Sequence, residues 1–331
     1  MLVRIVNMRG VDLNVFDFDF DLTWAGFFMN ADDTVYGRYG SRDEGPAEAG
    51  LSLDGLKYAM QQALKAFQQT PRAKPTRKIA ESSGLPTRVE NYPAASRIKK
   101  DACIHCHQVH NFQQELLWSK NTWTKDNMWL YPPPKTIGLK LELDQGDKVE
   151  SVKRDSPVFR TGLQRGDVLK TLNGISIAST ADVQYALNQA PKFGSVPAVW
   201  TRDGRDMTGT IRLKTGWRKS DISWRGSMWS MPPAFGVYGQ NLSAARKKKL
   251  GLGEKRLAFR QGNYVPSKTK RAGIRGGDIV IGVDGKKLKM TMLQFNVYIR
   301  SNYNVGDKVK FNIIRNGKRL EIPMTLPVHP R

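Results

Sequence analysis

The C-terminal part of the chain contains an internal repeat, and this repeat restricts the possible folds more than any other feature of the sequence. Residues 162–174 recur 111 positions later as residues 273–285, with glycine first and last and aspartate sixth in both copies. Each copy is followed by a predicted helix, Thr180–Gln189 or Thr291–Ser301, and then by a hairpin with Asp-Gly or Asn-Gly at its turn. The pattern predicts two copies of one small domain, each with turn glycines, an aspartate that caps a helix, and alternating strands.

This order of elements closely resembles PDZ domains of the bacterial high-temperature-requirement type. The resemblance implies PDZ domains at residues 135–215 and 235–327. It also implies a protein or peptide ligand that adds as a strand, with its terminal carboxylate bound by the amides of an apolar-Gly-apolar loop. The implied binding residues are Ile137, Gly138, Leu139, Val183 and Leu187 in the first domain, and Phe235, Gly236, Val237, Phe295 and Ile299 in the second. The alternative is that these apolar residues only form the cores.

A second feature is the spacing C-x-x-C-H, formed by Cys103, Cys106 and His107 within a short segment, residues 101–134, that is predicted to be helical. Two thiols at this spacing can attach a c-type haem while the adjacent imidazole binds the iron. On a helix the three side chains would share one face. Met128 is the predicted sixth ligand, because His110 would rise from the same helix as His107.

Other uses of these two cysteines remain open from the sequence. A zinc site would need further ligands, and the chain offers no second Cys or His cluster to complete the shell. A reactive dithiol requires a lowered thiol pKa. A simple disulfide, or a pair of buried thiols, is the remaining interpretation.

Residues 1–69 are predicted to form a truncated thioredoxin-like α/β fragment, so the whole chain is predicted to be an α+β multidomain protein. The predicted elements are a strand at Leu2–Asn7, strands at Trp24–Met29 and Thr34–Tyr39, and a helix at Leu53–Gln69. The run Asp17–Asp43 resembles the thioredoxin-7 class domain of bacterial secreted proteins that combine such a domain with a CxxCH segment and PDZ domains. Some members of that family are selenoproteins.

The resemblance implies a redox motif upstream of the first residue, since this chain lacks the first strand and helix of a thioredoxin. One hypothesis is therefore that Met1 is an artefactual start. No signal peptide precedes the fragment and no apolar run approaches the length of a membrane span. The full-length form is expected to be periplasmic or extracytoplasmic, because haem attachment at CxxCH occurs outside the bacterial cytoplasm.

Charge and composition add expectations about partners and about the segments between domains. Residues 1–60 contain ten acidic and five basic side chains, whereas the whole chain carries a formal charge of +23, so the remainder is strongly basic. An anionic surface is a possible partner, but no motif indicates specific nucleic-acid binding. Residues 70–100 are predicted to be a basic, Pro-rich, solvated linker, and residues 216–234 a Trp-rich segment between the PDZ domains.

The sequence contains no G-x-S-x-G, H-E-x-x-H, P-loop or dinucleotide motif, and it leaves open whether the protein is an enzyme. The leading hypothesis is an exported electron-transfer protein with haem at Cys103 and Cys106 and PDZ domains that dock a partner. The alternatives are a non-catalytic PDZ scaffold and a thiol-disulfide (seleno)oxidoreductase whose redox motif lies upstream.

Overall fold

The computed structural model describes residues 1–70 and 84–327, which form a mixed α+β protein. The chain divides into two compact units, Met1–Ser220 and Asp221–Arg331. The predicted α+β, multidomain class is therefore confirmed. The boundary falls inside the predicted Trp-rich segment.

The first unit begins with a hairpin and a helix. Strand β1 (Gly26–Met29) pairs antiparallel with β2 (Val35–Tyr39), and α1 (Leu53–Gln69) begins at the N-cap Ser52, whose hydroxyl accepts a hydrogen bond from the Gly55 amide at 2.9 Å. The predicted hairpin and helix are confirmed.

The strand predicted at Leu2–Asn7 is wrong, because these residues form no regular structure and the side chains of Leu2, Val3 and Val6 are exposed. Within the described residues no neighbouring strand pairs with this segment, so its alternating pattern has no sheet to join. The two-stranded hairpin with one helix does not amount to half of a thioredoxin fold.

Residues 84–100 form part of a core rather than a solvated linker. They contain two short 3-10 turns, Val89–Asn91 and Pro93–Arg97, and Val89 and Tyr92 are fully buried. They pack in one cluster with residues from the N-terminus, with Ile104, and with α2 (Cys106–Ser119). The members of this cluster include Met8, Leu13, Phe20, Val109, Phe112 and Leu116. The linker prediction is wrong for this stretch, because apolar side chains between the prolines bury themselves in the core. Pro71 and Pro75 lie outside the described residues.

The rest of the first unit is the first repeat. Its elements are β3 (Leu139–Leu141), β4 (Val149–Val152), α3 (Pro157–Thr161), β5 (Val168–Leu172), β6 (Ile175–Ser176), α4 (Thr180–Asn188), β7 (Gly194–Arg202) and β8 (Arg205–Leu213). Strands β3 and β4 pair with each other, and the others form an antiparallel sheet in the order β6-β5-β7-β8. Helix α4 packs its apolar side into the core that these strands enclose.

The second unit repeats this plan with one continuous sheet. Its elements are β9 (Gly239–Asn241), α5 (Ala244–Lys249), β10 (Phe259–Gln261), α6 (Ser267–Arg271), β11 (Ile279–Val283), α7 (Met292–Asn302), β12 (Lys308–Arg315) and β13 (Lys318–Thr325). The strand order is β13-β12-β11-β10-β9, so β9 lies at one edge. The predicted hairpin turns are confirmed, since Asp203-Gly204 and Asn316-Gly317 all have positive φ as a type I′ turn requires.

The aspartate shared by the repeats was expected to cap a helix, and this prediction is wrong. It holds a turn and an arginine instead. Asp278 accepts hydrogen bonds from the Arg275 amide at 2.8 Å and from Arg315 Nε and Nη2, both at 2.7 Å. Asp167 makes the same bonds with the Gln164 amide and Arg202. Each pair links the start of a central strand to the hairpin beside it.

Candidate functional site

The CxxCH residues do not lie on one helical face. Helix α2 begins at Cys106, and His105 is its N-cap, so Cys103 precedes the helix and is exposed. The Cys106 sulfur packs 3.7 Å from Met8 Sδ, and burial raises the pKa of the Cys106 thiol. Both cysteines are free thiols, and the lowered thiol pKa that a reactive dithiol would need is not found at Cys106.

The residues around this motif do not fit a haem. Ile104 and Val109 are fully buried among the core side chains, while His107 is exposed. Met128, the predicted sixth ligand, ends a 3-10 turn and is 1% exposed. Within residues 1–70 and 84–327, no group of three or more His, Cys, Asp or Glu side chains is placed to hold a metal ion.

The predicted peptide-binding loop of the first repeat is closed by its own hydrogen bonds. The Gly138 amide donates to the Lys135 carbonyl at 3.0 Å, and the Gly138 carbonyl accepts from the Lys153 amide at 2.8 Å. Ile137 and Leu139 are buried in the core. Gly138 has a φ of +83°, and a Cβ there would lie 2.2 Å from that of Ser156.

The predicted pocket residues Val183 and Leu187 are fully buried in the same core. In addition, the N-terminal hairpin covers the start of α4. The Arg38 amide donates to Asp182 at 3.0 Å, Ser179 Oγ donates to the Arg38 carbonyl at 2.5 Å, and the Arg38 guanidinium lies 3.6 Å from the Tyr185 ring centre. The first repeat is therefore engaged with the chain's own N-terminus.

The corresponding loop in the second repeat is organised differently. Phe235 and Val237 are fully buried, and Gly236 adopts a φ of +62° where the chain approaches Thr269 and Pro266. The Thr269 hydroxyl donates to the Phe235 carbonyl at 2.8 Å, so a hydrogen bond from helix α6 fixes the position of the loop. In the part of the chain that the structure describes, the amides of residues 235–237 have no hydrogen-bond acceptor.

This loop leads directly into the edge strand β9. Gln240 and its neighbours pair with β10 on one side only, and no described strand pairs with the other side. Backbone amides in folded proteins are normally hydrogen-bonded, either within the protein or to water. Three amides that have no acceptor in the described part of the chain, beside an open strand edge, supply the donors that an extended peptide needs.

The predicted pocket residues Phe295 and Ile299 are fully buried in the second core and do not line an open pocket. Two further residues lie near the loop: Trp229, from the predicted Trp-rich segment, and the buried Arg300, which the sequence analysis did not identify. Arg300 at the end of α7 is 3% exposed, and Trp229 lies against Tyr238 with ring centres 6.4 Å apart. An arginine on the apolar side of a predicted helix was the available signal for Arg300.

Comparisons with known proteins point to one group. No established protein-family model matches the chain. It is 25% identical over 186 residues to a probable periplasmic serine endoprotease DegP-like of Marinomonas sp. (strain MWYL1), covering 56% of this chain and 38% of the relative. It is 34% identical over 91 residues to the periplasmic pH-dependent serine endoprotease DegQ of Escherichia coli (strain K12), covering 28% and 20%. Both relatives are periplasmic proteases. The chain spans less than half the length of either.

Solved structures with similarity include a serine endoprotease from Yersinia pestis, with a TM-score of 0.24, 19% identity and coverage of 30% of this chain and 33% of that one. Another is the HtrA-type protease AlgWS227A with a decapeptide, with a TM-score of 0.28, 16% identity and coverage of 51% of each chain. Scores this low do not define a shared fold.

The comparisons correct several expectations. The resemblance to secreted proteins that combine a thioredoxin-like domain with CxxCH is wrong, because the relatives are periplasmic serine endoproteases named DegP-like and DegQ. The haem c cofactor and the electron-transfer function are wrong for the same reason, and neither a PDZ scaffold nor an oxidoreductase is favoured. The predicted periplasmic location is confirmed by both relatives. No helix among residues 1–70 and 84–327 is long and apolar enough to cross a membrane.

Proposed function

We propose that this chain binds extended polypeptide segments and thereby serves the substrate-recognition step of periplasmic proteolysis. The observation that carries the proposal is the group of unpaired amides at residues 235–237 beside the open edge of β9. A peptide strand added to β9 would bond to the outward-facing groups of that strand, and an oxygen of the peptide would accept from the loop amides. The names of the two relatives supply the proteolytic context.

We assign the binding to the second of two PDZ-like domains, residues 235–327. Residues 135–215 form the first PDZ-like domain in this proposal, and residues 216–234 connect the two. In the first domain the Gly138 amide already donates to the Lys135 carbonyl, and the start of helix α4 is covered by the N-terminal hairpin. Its role is to complete the first unit rather than to bind ligand.

The test uses the edge strand. The Tyr238 carbonyl accepts from the Gly262 amide and the Leu242 amide donates to the Ala258 carbonyl, both at 3.0 Å, on the two sides of β10. Residues 238 and 242 thus face β10, and Asn241, which is out of step with them, directs its amide outwards. Asn241→Pro would remove that donor and leave the bonds to β10 intact, whereas Asn241→Ala keeps the donor and serves as the matched control. Fluorescence anisotropy of a labelled ten-residue peptide should show binding to the full chain and to Asn241→Ala, with about tenfold weaker binding to Asn241→Pro. Equal binding by the two variants, with both folded by circular dichroism, contradicts strand addition at β9.

A second candidate is that the chain itself cleaves peptide bonds, which is favoured by the names of its relatives. Hydrolysis of an unfolded protein by the full chain, abolished by a serine-reactive phosphonate, would support this activity. Binding without hydrolysis, in a preparation free of other proteases, would limit the chain to recognition.

A further inference from the structure

Helix α7 lies on the open side of the edge strand β9. Near the start of the helix, the Met292 amide donates to Asn241 Oδ1 at 2.8 Å, and about one turn later Asn296 donates to the Val237 carbonyl at 3.2 Å. The Val237 carbonyl is out of step with the Tyr238 carbonyl, which bonds towards β10, so it points away from the sheet. The strip of surface between β9 and α7, called the β9–α7 groove below, is therefore where an added strand would lie.

The chain that leads into the second repeat is fixed to α7 at both ends of the helix. Asp221 Oδ2 accepts from Gln294 Nε2 at 2.7 Å in the first turn of α7. Arg300, in the last turn, donates from Nε to the Met231 carbonyl at 3.0 Å. Residues 221–231 therefore follow the helix from its first turn to its last.

Trp229 extends from this segment to the strand side of the groove. Its ring centre lies 5.7 Å from Arg300 Cζ and 6.4 Å from the ring centre of Tyr238, the residue between the loop 235–237 and β9. One indole thus bridges the helix and the start of the strand, next to the loop whose amides have no acceptor in the described part of the chain. No described strand pairs with β9 on this side, so the backbone groups of the edge are blocked by a side chain rather than used.

We infer that Trp229 is an autoinhibitory residue, which occupies the β9–α7 groove and has to leave it before a polypeptide strand can add to β9. This inference rests on the proposed polypeptide-binding function and concerns the regulation of that same site. It makes the segment 221–231 a cover that belongs to the chain itself. The ligand and the indole then compete for one surface.

The cover is built so that the ring can move while the segment stays attached. Met228 and Met231, on either side of the ring, are fully buried, whereas Trp229 is 39% exposed. The ring is bound by one edge-to-face contact with Tyr238 and by the charge of Arg300, and contacts of these two kinds are weak at a partly exposed position. A change in the position of one side chain is therefore enough to open the groove.

The first repeat is covered in a different way. The N-terminal hairpin is joined to α4 by hydrogen bonds between Arg38 and both Asp182 and Ser179, and the Arg38 guanidinium lies 3.6 Å from the Tyr185 ring centre. Asp182 and Ser179 are buried, so this cover is part of a core. Of the two covers, the one at Trp229 is the one that a ligand can displace.

The size of the effect follows from competition. When only a fraction of the molecules has an open site, the apparent affinity is the intrinsic affinity multiplied by that fraction. The two contacts of the Trp229 ring together keep the open fraction at about one in ten. Removing the indole should therefore tighten ligand binding by about tenfold.

The experiment measures the binding of a labelled ten-residue peptide to the full chain by fluorescence anisotropy. Trp229→Ala should bind about tenfold more tightly than the wild type, and Trp229→Phe, which keeps a smaller ring, should lie between them. Asp221→Ala, which releases the other end of the segment, should also tighten binding. The matched control is Trp24→Ala in the first unit, where Trp24 is 47% exposed and lies 5.9 Å from the Tyr39 ring centre, and it should bind like the wild type.

A second measurement follows the ring itself in the wild-type chain. With fluorotryptophan incorporated, the fluorine NMR resonance that is missing from Trp229→Phe is assigned to Trp229. Saturation with the peptide should shift this resonance towards that of a solvent-exposed indole and leave the Trp24 resonance in place. An unchanged Trp229 resonance at saturation overturns the inference, and this measurement decides if Trp229→Ala does not fold.

The outcomes separate the two proposals. Binding by Trp229→Ala that is equal to or weaker than that of the wild type overturns the autoinhibitory role and leaves strand addition at β9 standing. Absence of binding by the wild type and by every variant overturns the proposed function and this inference with it.

Discussion

Replacing Asp278 with alanine is expected to destabilise the second unit strongly. The carboxylate is 2% exposed and accepts two hydrogen bonds from Arg315, both at 2.7 Å, and one from the Arg275 amide at 2.8 Å. Truncation would leave the guanidinium without its anion and the turn amide without an acceptor.

The magnitude follows from the burial of the two partners. Removal of one member of a fully buried ion pair costs about 3–5 kcal/mol, whereas exposed pairs contribute about 0–1 kcal/mol. The Arg315 side chain is 19% exposed, so water can replace part of what it loses. We therefore expect the free energy of unfolding to fall by about 3 kcal/mol. For a unit of this size, that corresponds to a decrease in Tm of about 12 °C.

Scanning calorimetry of the full chain measures this change directly. The matched control is Glu321→Gln, which removes the exposed Lys310–Glu321 pair at 3.1 Å and should cost less than about 1 kcal/mol. The double variant Asp278→Ala/Arg315→Met should be less destabilised than the sum of the two single changes. A loss below about 1 kcal/mol in Asp278→Ala, or additive behaviour in the cycle, would refute the reasoning.

Two further changes test the first unit. Burial raises the pKa of Asp147 to about 6, from an ordinary value of 3.8, although Tyr58 donates to it at 2.8 Å. The folded state thus holds this proton more tightly than the unfolded state, so its stabilising contribution is complete below pH 3.8 and is lost as the pH rises through about 6. Urea unfolding should show stability declining from about pH 4 to about pH 6, and Asp147→Asn should flatten part of that decline; an unchanged slope would contradict the assignment. Gly138→Ala forces a Cβ into Ser156 at a φ of +83°, and should lower the free energy of unfolding by about 2–4 kcal/mol, while an unchanged Tm would show that the loop adjusts freely.

Helices and turns whose conformation depends on residues close together in the sequence could be predicted. Helix α1 follows from its apolar stripe and its serine cap, and the hairpin turns follow from Asp-Gly and Asn-Gly, since in each case the deciding contacts lie within a few residues. The strand predicted at Leu2–Asn7 failed because a strand needs a partner, and alternation in one segment does not supply it.

The candidate site could be predicted only in part. The positive φ of Gly236 agrees with a glycine-dependent turn at Phe235-Gly236-Val237, because glycine adopts such a backbone without strain, whereas the role of this loop in binding stays a prediction. Arg300 was missed, since its importance depends on burial and on contacts with residues up to 69 positions away. The CxxCH spacing was misleading because helix α2 begins at Cys106 rather than before Cys103. Cys103 therefore does not share a helical face with Cys106 and His107, as the prediction had assumed.

The contact between Arg38 and Asp182 limits where the chain can be cut into fragments that fold on their own. Asp182 is fully buried, and its neighbours on α4 meet the hairpin from the first forty residues. A fragment that starts at residue 135 would lose the Arg38 amide and guanidinium that contact this carboxylate, and it would expose the apolar surface of Ala178 and Tyr185 that the hairpin now covers. Boundaries drawn by domain homology would therefore cut through a folded interior, and such a fragment should aggregate where a fragment that begins at the N-terminus stays in solution.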